Sequence, residues 1–164
     1  MALGELGPVR RVVTGHDSDA RPVILSDETF DTEAIPSGAA EYVDLWNGRS
    51  LPLDNNELYD CRHDPDAALA GASIVRIVDL APGGASQMHR TNTLDYCVLI
   101  SGELELELEG AVTTRLKPGE IVVQRGTMHL WRNPSPTTPC RIVFVLTEAK
   151  PYVHGGAALP EVHG

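Results

Sequence analysis

The sequence is poor in the features that mark membrane, secreted and nucleic-acid-binding proteins. Among its 164 residues, aromatic side chains make up 5%, and Lys and Arg total 13 against 23 Asp and Glu. No apolar run approaches the roughly 18 residues that a membrane-spanning helix needs. The formal charge of −10 argues against nucleic acid and anionic membranes as partners, because phosphate groups repel an acidic surface. We therefore expect a protein that binds neither.

Cysteine is also scarce, and its placement indicates a reducing compartment. The three cysteines, Cys61, Cys97 and Cys140, are odd in number and widely spaced. The N-terminus, M-A-L-G-E-L-G-P-V-R-R, lacks the basic start and apolar core of a signal peptide. These features predict a cytoplasmic protein with reduced thiols. Cys97 and Cys140 lie in apolar stretches and are expected to be small core residues.

From Ser73 onward the sequence is typical of β-structure. In E-L-E-L-E-L-E the strict alternation places Leu104, Leu106 and Leu108 toward a core and the glutamates toward water. Earlier in the chain, R-R-V-V-T-G-H-D and R-P-V-I-L-S-D predict two further short strands. Many short strands separated by Gly and Pro predict an all-β sandwich or jelly roll.

Two blocks within this β region each carry one histidine that suits a reactive site. The first, P-G-G-A-S-Q-M-H-R-T-N-T-L-D-Y, contains His89, Thr91 and Asp95. The second, K-P-G-E-I-V-V-Q-R-G-T-M-H-L-W-R-N, contains His129. Two imidazoles and a carboxylate brought together from separate strands can form a metal site or an acid–base site.

The first block resembles the first motif of the cupin superfamily. Gly83, His89 and Gly102 stand at the motif's positions. Thr91 stands where the second histidine of the motif belongs, and Asp95 replaces its glutamate. The metal motif is therefore degenerate.

The second block resembles the second cupin motif. Gly119, Gly126, His129 and Asn133 match, whereas Gln124 replaces a proline and one residue fewer follows the first glycine. The resemblance implies a double-stranded β-helix, that is, a jelly-roll cupin barrel with the N-terminal strands added to it.

At this length we expect one domain. A short helical turn is predicted for D-P-D-A-A-L-A-G, from Asp64 to Gly71, and a loop for 27–40. The chain divides into three parts: N-terminal strands and a loop packing on the barrel (1–70), the cupin barrel (71–149) and a flexible C-terminal tail (150–164).

The resemblance implies that His89, Asp95 and His129 are the catalytic residues and also the ligands of any metal. Such a set would hold one divalent ion, Zn, Fe, Mn or Ni, with open positions for substrate. A metal-free alternative remains open, because a histidine and an aspartate can form an acid–base pair or a satisfied polar network in the core without a metal.

Four further residues are predicted to bind substrate. Thr91 shares the strand face of His89, and Trp131 shares that of His129. Gln124 is expected at the rim of the pocket.

The fourth residue is Arg76, which alternates inward between apolar residues, and Arg141 also has apolar neighbours. A buried arginine requires an anion, which is either an Asp in a structural salt bridge or a substrate carboxylate.

Two strands, 96–100 and 142–146, are apolar on both faces and therefore need cover from elsewhere. The N-terminal strands can provide part of this cover and a second subunit the rest, so we predict a homodimer that shares sheet edges.

In the loop sequence C-R-H-D, Cys61 and His63 resemble half of a metal site, although a single pair in a loop is weak support.

The combination H-R-T-x-x-L-D-Y and V-Q-R-G-T-x-H-x-W-x-N is similar to cupins of polyketide and aromatic metabolism. This resemblance implies a lyase or isomerase that dehydrates, cyclises or aromatises a carbonyl-containing, polyketide-like small molecule. Two alternatives are an Fe-dependent dioxygenase and a non-catalytic cupin that binds a small molecule. The fold alone does not choose among them.

Overall fold

The computed structural model describes residues 6–57, 60–63 and 72–163, and these residues form strands, turns and loops without an α-helix. The helical turn predicted for 64–71 lies outside the described residues. No helix in the described part has the length and hydrophobicity to cross a membrane. The strands are, in chain order, β1 (Val9–His16), β2 (Pro22–Phe30), β3 (Glu33–Ala34), β4 (Ala40–Gly48), β5 (Ser73–Leu80), β6 (Thr93–Ser101), β7 (Leu104–Leu108), β8 (Val112–Leu116), β9 (Ile121–Arg125), β10 (His129–Arg132), β11 (Cys140–Glu148), β12 (Val153–His154) and β13 (Ala157–Ala158).

Two antiparallel sheets build the predicted jelly roll. The larger has the strand order β3-β4-β5-β11-β6-β9, and the smaller has the order β10-β7-β8. One cluster of buried side chains joins them, with Leu80, Leu99 and Ile142 from the larger sheet and Leu104 and Trp131 from the smaller. Burial of both inner faces against each other stabilises the two layers, and the all-β jelly-roll prediction is confirmed.

Strand β7 shows how the sequence pattern produces the packing. Leu104 and Leu106 are buried in the core, as their alternation predicts. Glu105 and Glu107 lie on the outer face, where both form ion pairs with Arg132 of β10. The glutamate row is therefore a charged outer surface of the small sheet.

The outer face of the large sheet remains apolar at one edge. Cys97 is fully buried, but its neighbour Tyr96 is 44% exposed and pairs across the sheet with Val123 of β9, which is 52% exposed. Ile100 and Ile121 are exposed beside them. These four exposed residues, the outer apolar strip, receive no cover from the described N-terminal strands.

The N-terminal hairpin packs at the other side of the large sheet. β1 and β2 pair along their whole length, and Arg11 of β1 donates a 3.0 Å hydrogen bond to the Leu45 carbonyl of β4. The loop predicted for 27–40 is wrong in part, because β2 continues to Phe30 and β3 pairs with β4. Ladder hydrogen bonds satisfy these backbone groups even though the side chains are largely polar.

The structure also differs from the prediction of a flexible tail at 150–164. β12 and β13 form a hairpin whose two turn residues, Gly155 and Gly156, both have positive φ (57° and 82°). Two-residue hairpin turns of this kind require such φ values, which glycine adopts without strain. Beyond the hairpin, the backbone of Val162 pairs with that of Arg90, so the C-terminal segment packs against the first histidine block.

Candidate functional site

The two motif histidines lie side by side, joined through their backbones. The His89 amide donates to the His129 carbonyl and the His129 amide to the His89 carbonyl, both at 2.9 Å. His129 begins β10, whereas His89 lies in the segment that precedes β6. Their ring centroids are 4.3 Å apart, with the ring planes inclined at 47°. We call these two residues the histidine pair.

Backbone carbonyls determine which ring nitrogens of the histidine pair carry hydrogen. Nδ1 of His89 lies 2.8 Å from the Gln87 carbonyl, and Nδ1 of His129 lies 2.9 Å from the Thr127 carbonyl. A carbonyl oxygen can only accept, so each Nδ1 must donate its hydrogen. In the neutral rings, each Nε2 is then the nitrogen with a lone pair, available to take a proton or bind a metal.

Gln124, on the neighbouring strand, binds Thr127, the residue whose carbonyl accepts from His129. Its amide nitrogen donates to both the carbonyl and the hydroxyl of Thr127 and lies 3.1 Å from Nδ1 of His129. Gln124 is buried and pairs with Asp95 across β9 and β6. The structure therefore places Gln124 between two of the predicted catalytic residues, inside the barrel and not at the rim where we expected it.

His129 is held in its neutral form by burial. It is 2% exposed, and burial lowers its pKa to about 4. The hydrogen bond to Thr127 opposes this shift, while the nearby His89 adds to it. Trp131 packs edge-on against His129 at 5.7 Å and continues into the core at Phe144, so its indole ring lies beside the histidine pair, as expected, but as part of the core packing.

Asp95 is the most unusual polar group near the histidine pair. It is 4% exposed, and its Oδ1 is buried without a hydrogen-bond partner. Burial raises the pKa of the carboxyl, although the Thr93 hydroxyl and His89 pull it in the opposite direction. A carboxyl in such a setting retains its proton at higher pH than an exposed one does.

The predicted metal site is not formed in this conformation. His89, Asp95 and His129 are of the right residue types, and the unpartnered Asp95 oxygen is a suitable donor. Within the described residues, however, their ligand atoms do not all come within 4.8 Å of one another. The three side chains therefore do not provide a closed set of three ligands.

The two arginines for which the sequence left open a salt bridge or a substrate anion are both paired with carboxylates of the protein. Arg76 holds both carboxylate oxygens of Asp44, and Arg141 those of the fully buried Asp79. The structure thus shows the salt-bridge alternative for both residues. The hydroxyl of Thr91, the remaining predicted substrate contact, lies 2.7 Å from that of Thr93.

Asn133 of the second motif has a structural role. Its side-chain amide donates to the carbonyls of Leu80, Ala81 and Thr138, and its oxygen accepts from the Ser135 amide. A fully buried amide with all these bonds fixes the turn between β10 and β11.

A cavity of about 630 Å³ opens between the edge strand β9 and the smaller sheet. We call it the β9 cavity. Its wall includes Gln124 and Thr127, which contact His129, and the inward-facing Leu106 and Val122. Neither histidine nor Asp95 lines this cavity, and Gln124 and Thr127 lie between it and His129. The roles of Thr127 and of the C-terminal segment at this cavity were not foreseen, because no sequence pattern indicates them.

The loop histidine His63 lies beside two carboxylates. Cys61, its predicted partner in half of a metal site, does not belong to this group of ligand atoms among the described residues. Glu28, Asp60 and His63 bring their ligand atoms within 4.8 Å of one another. Arg11 donates to both Asp60 oxygens at 2.7 Å and to Glu28 at 3.0 Å. These four residues form the N-terminal cluster, in which the arginine already supplies a positive charge.

The comparisons with known proteins agree with the fold and the motifs. The family model "Cupin domain" matches residues 76–146. The phomopsin biosynthesis cluster protein C' of Diaporthe leptostromiformis is 37% identical over 98% of this chain and 89% of its own length. The cupin-domain-containing oxidoreductase srdB of Neurospora crassa is 32% identical over 91% of this chain and 78% of its own. This chain belongs to the cupin family.

Solved structures show the same fold at low sequence identity. The cupin domain of Schizosaccharomyces pombe Cnp3 superimposes with a TM-score of 0.55, covering 85% of this chain and 87% of that one, at 10% identity. A likeness at this identity concerns the backbone arrangement alone.

Proposed function

We propose that the protein is a cupin enzyme of a biosynthetic pathway, which dehydrates, cyclises or aromatises a carbonyl-containing, polyketide-like small molecule. The observation that carries the proposal is the histidine pair, His89 and His129, with each Nδ1 bound to a carbonyl and each Nε2 available. The similarity to a protein named for a biosynthesis cluster supports the pathway context.

In the proposed reaction the carbon next to a carbonyl loses a proton to a histidine. His89 is the partly exposed member of the pair, so its Nε2 takes this proton from the substrate. The electrons of the C–H bond form the new double bond, and a hydroxyl on the next carbon leaves as water. General acid–base help of this kind accelerates reactions by about 10² to 10⁴.

Asp95 supplies the acid of the proposed reaction. Its burial favours the protonated carboxyl, which can deliver the proton that the leaving hydroxyl needs. The carboxylate that forms then stabilises the protonated His89, because the two groups interact electrostatically. Return of the proton from His89 to Asp95 restores the starting state.

The second candidate is an iron-dependent oxidoreductase, and the third is a non-catalytic binding cupin. A relative named as a cupin-domain-containing oxidoreductase favours the second. In it, His89, Asp95 and His129 would be the ligands, and the metal would supply redox chemistry with O₂. This requires the ligand atoms of the three side chains to approach one another more closely than they do in the described conformation.

One pair of measurements separates the three candidates. Protein purified without chelator is analysed for metals and then assayed with a 3-hydroxyacyl thioester of N-acetylcysteamine, following the absorbance of the conjugated product. Dehydration that persists without bound metal supports the proposal. Iron at about one per chain, with O₂ consumption and no dehydration, would favour the oxidoreductase, and neither activity would favour the binding protein.

We include two further expectations in the proposal. The protein is cytoplasmic, in keeping with free thiols at Cys61, Cys97 and Cys140. It forms a homodimer through the edge of the large sheet, where the outer apolar strip would be covered by a second chain.

A further inference from the structure

Arg90 has no anionic partner within the described structure. Its one side-chain hydrogen bond among the described residues runs from Nη1 to the Pro160 carbonyl at 3.3 Å, and its Nε is buried without a partner. By contrast, Arg76 and Arg141, for which we had considered a substrate anion, each hold a protein carboxylate through two nitrogens. The candidate for anion binding is therefore Arg90, because Arg76 and Arg141 both show the salt-bridge alternative.

A partly buried guanidinium with unused donors is unfavourable unless something fills them. Burying polar hydrogen-bonding atoms without partners costs free energy, and more so for charged groups. The planar guanidinium presents parallel N–H groups that match the two oxygens of a carboxylate. Arg90 thus has both the free donors and the charge to bind a carboxylate.

The surroundings of Arg90 define what else the ligand must contain. Arg90 lines the β9 cavity together with apolar side chains that include Leu106, Leu108, Val122 and Met128. A ligand that fills this cavity would place apolar atoms against these walls and its anionic group at the arginine.

Two other charged residues line the β9 cavity. Arg125 adds a second positive charge, and no ion pair is formed by it among the described residues. Glu109 is the one carboxylate of the lining. The net charge of the lining side chains is therefore positive, in a protein whose overall charge is −10, which favours an anion at this position.

The C-terminal segment holds Arg90 in place and closes the same cavity. Arg90 and Val162 exchange two backbone hydrogen bonds at 2.9 Å, and the Pro160 carbonyl accepts from the side chain. Tyr152 and Leu159 from this segment complete the cavity wall. The segment therefore orders the arginine before any ligand arrives, which lowers the entropy lost on binding.

We infer that the β9 cavity binds a small molecule with an apolar body and a carboxylate, and that Arg90 binds the carboxylate. This inference rests on the proposed function in one respect: it takes the ligand to be the substrate or product of the proposed enzyme, whose His129 lies behind Gln124 and Thr127 of the cavity wall. The binding itself can be measured without any turnover.

The test compares octanoate with octanol by isothermal titration calorimetry on the full chain. We expect octanoate to bind wild-type protein at least about tenfold more tightly, because only octanoate can pair with the guanidinium. Arg90→Gln should remove this preference while octanol binding stays unchanged, and Arg90→Lys should restore part of it. Arg115→Gln, which removes an arginine paired with Glu105 on the outer face, is the matched control and should keep the preference.

Two results would overturn the inference: equal affinity of the wild type for octanoate and octanol, or an unchanged octanoate preference in Arg90→Gln. The first comparison needs no variant, so it can overturn the inference even if Arg90→Gln fails to fold, and Arg90→Lys then distinguishes Arg90 from Arg125 as the group that binds the carboxylate. Arg90-dependent binding of octanoate, without dehydration of 3-hydroxyoctanoate or of any 3-hydroxyacyl thioester, would instead refute the proposed function and leave this inference standing.

Discussion

The histidine pair together with Asp95, which we call the barrel site, contains the same types of group as the N-terminal cluster. The pKa values of the aspartates in the two places are nevertheless shifted in opposite directions. In the N-terminal cluster, burial raises the pKa of Asp60, but Arg11, the Arg62 amide and His63 together outweigh it, so the pKa is lowered. At the barrel site, burial raises the pKa of Asp95 and no arginine compensates it. The difference teaches that the sign of a pKa shift depends on whether burial comes with a countercharge.

The contrast extends to the histidines and to what each site can do. His63 is largely exposed and lies 3.0 Å from Glu28, whose pKa is lowered by that hydrogen bond and by Arg11. His129 is buried, and its pKa is lowered to about 4. A charge-compensated network of this kind stabilises the fold, whereas uncompensated groups that can exchange protons are typical of reactive sites.

The largest expected effect comes from removing a histidine of the pair. His129→Ala should reduce dehydration of the 3-hydroxyacyl thioester by at least about 10²-fold, because the variant loses the ring that packs against His89, the proposed base, and general acid–base catalysis contributes about this much. His63→Ala, the corresponding change in the N-terminal cluster, should leave the rate unchanged. Far-ultraviolet circular dichroism should show both variants folded. Full activity in folded His129→Ala would contradict the assignment of the site.

The next effect is on stability. Arg11 is 7% exposed and binds Asp60, Glu28 and the Leu45 carbonyl. Arg11→Gln should lower the free energy of unfolding by about 2 to 3 kcal/mol, below the range for fully buried pairs because the carboxylates are partly solvated. Urea denaturation measures it.

The control for that change is Arg10→Gln, because Arg10 pairs with Asp27 on the exposed side of the same strand. We expect no measurable loss for it, since exposed ion pairs contribute little. Equal losses for Arg10→Gln and Arg11→Gln would show that the N-terminal cluster is not the stabilising feature we describe.

A third prediction concerns pH. The unfolded chain binds a proton at His129 below about the ordinary histidine pKa of 6.5, whereas the folded protein does so only near 4. The unfolded state therefore binds more protons in this window, and stability contributed by His129 is lost as the pH falls from 6.5 to 4. His129→Gln should flatten the pH dependence of the unfolding free energy there.

Asp95 contributes to the pH dependence of the unfolding free energy with the opposite sign, because its pKa in the folded protein is raised above the value in the unfolded chain. Its contribution is greatest at low pH and is lost as the pH rises through the folded pKa. Subtracting the pH dependence measured for His129→Gln from that of the wild type removes this contribution, because both proteins contain Asp95. An unchanged slope between pH 4 and 6.5 in His129→Gln would mean that burial does not keep His129 neutral.

The smallest effect is on association. If the outer apolar strip forms the dimer interface, the sedimentation mass of wild-type protein at micromolar concentration should be twice that of one chain. Val123→Lys should lower it to one chain, because a charge would be buried at the interface. Val112→Lys alters another exposed apolar residue, on β8, and should leave the dimer intact. A wild-type mass of one chain would refute the dimer.

Much of the fold could be predicted because local pattern and environment agree. Leu104 and Leu106 alternate with glutamates and are buried as expected. The C-terminal residues were harder to predict, because the short strands around Gly155 and Gly156 have no apolar periodicity. Beyond these strands, Val162 forms its backbone hydrogen bonds with Arg90, a residue far away in the sequence, so no local pattern indicates this contact.

The sequence indicates the residue types of the candidate site but not their arrangement. The motif spacing brought attention to His89, Asp95 and His129, yet the role of Gln124 follows from its pairing with Asp95 across two strands. The arginines show the same difference. Arg76 and Arg141 have acidic partners 32 and 62 residues away, whereas Arg90 has none among the described residues, and no local pattern distinguishes them.

The sequence by itself determined the all-β class, the cupin family and the two histidines, because strand periodicity and motif spacing are local properties of the chain. Only the tertiary structure decided which charged groups have partners. Proton affinity and ligand binding depend on burial and on countercharges within a few ångströms. Those neighbours come from strands distant in sequence, so folding alone brings them together.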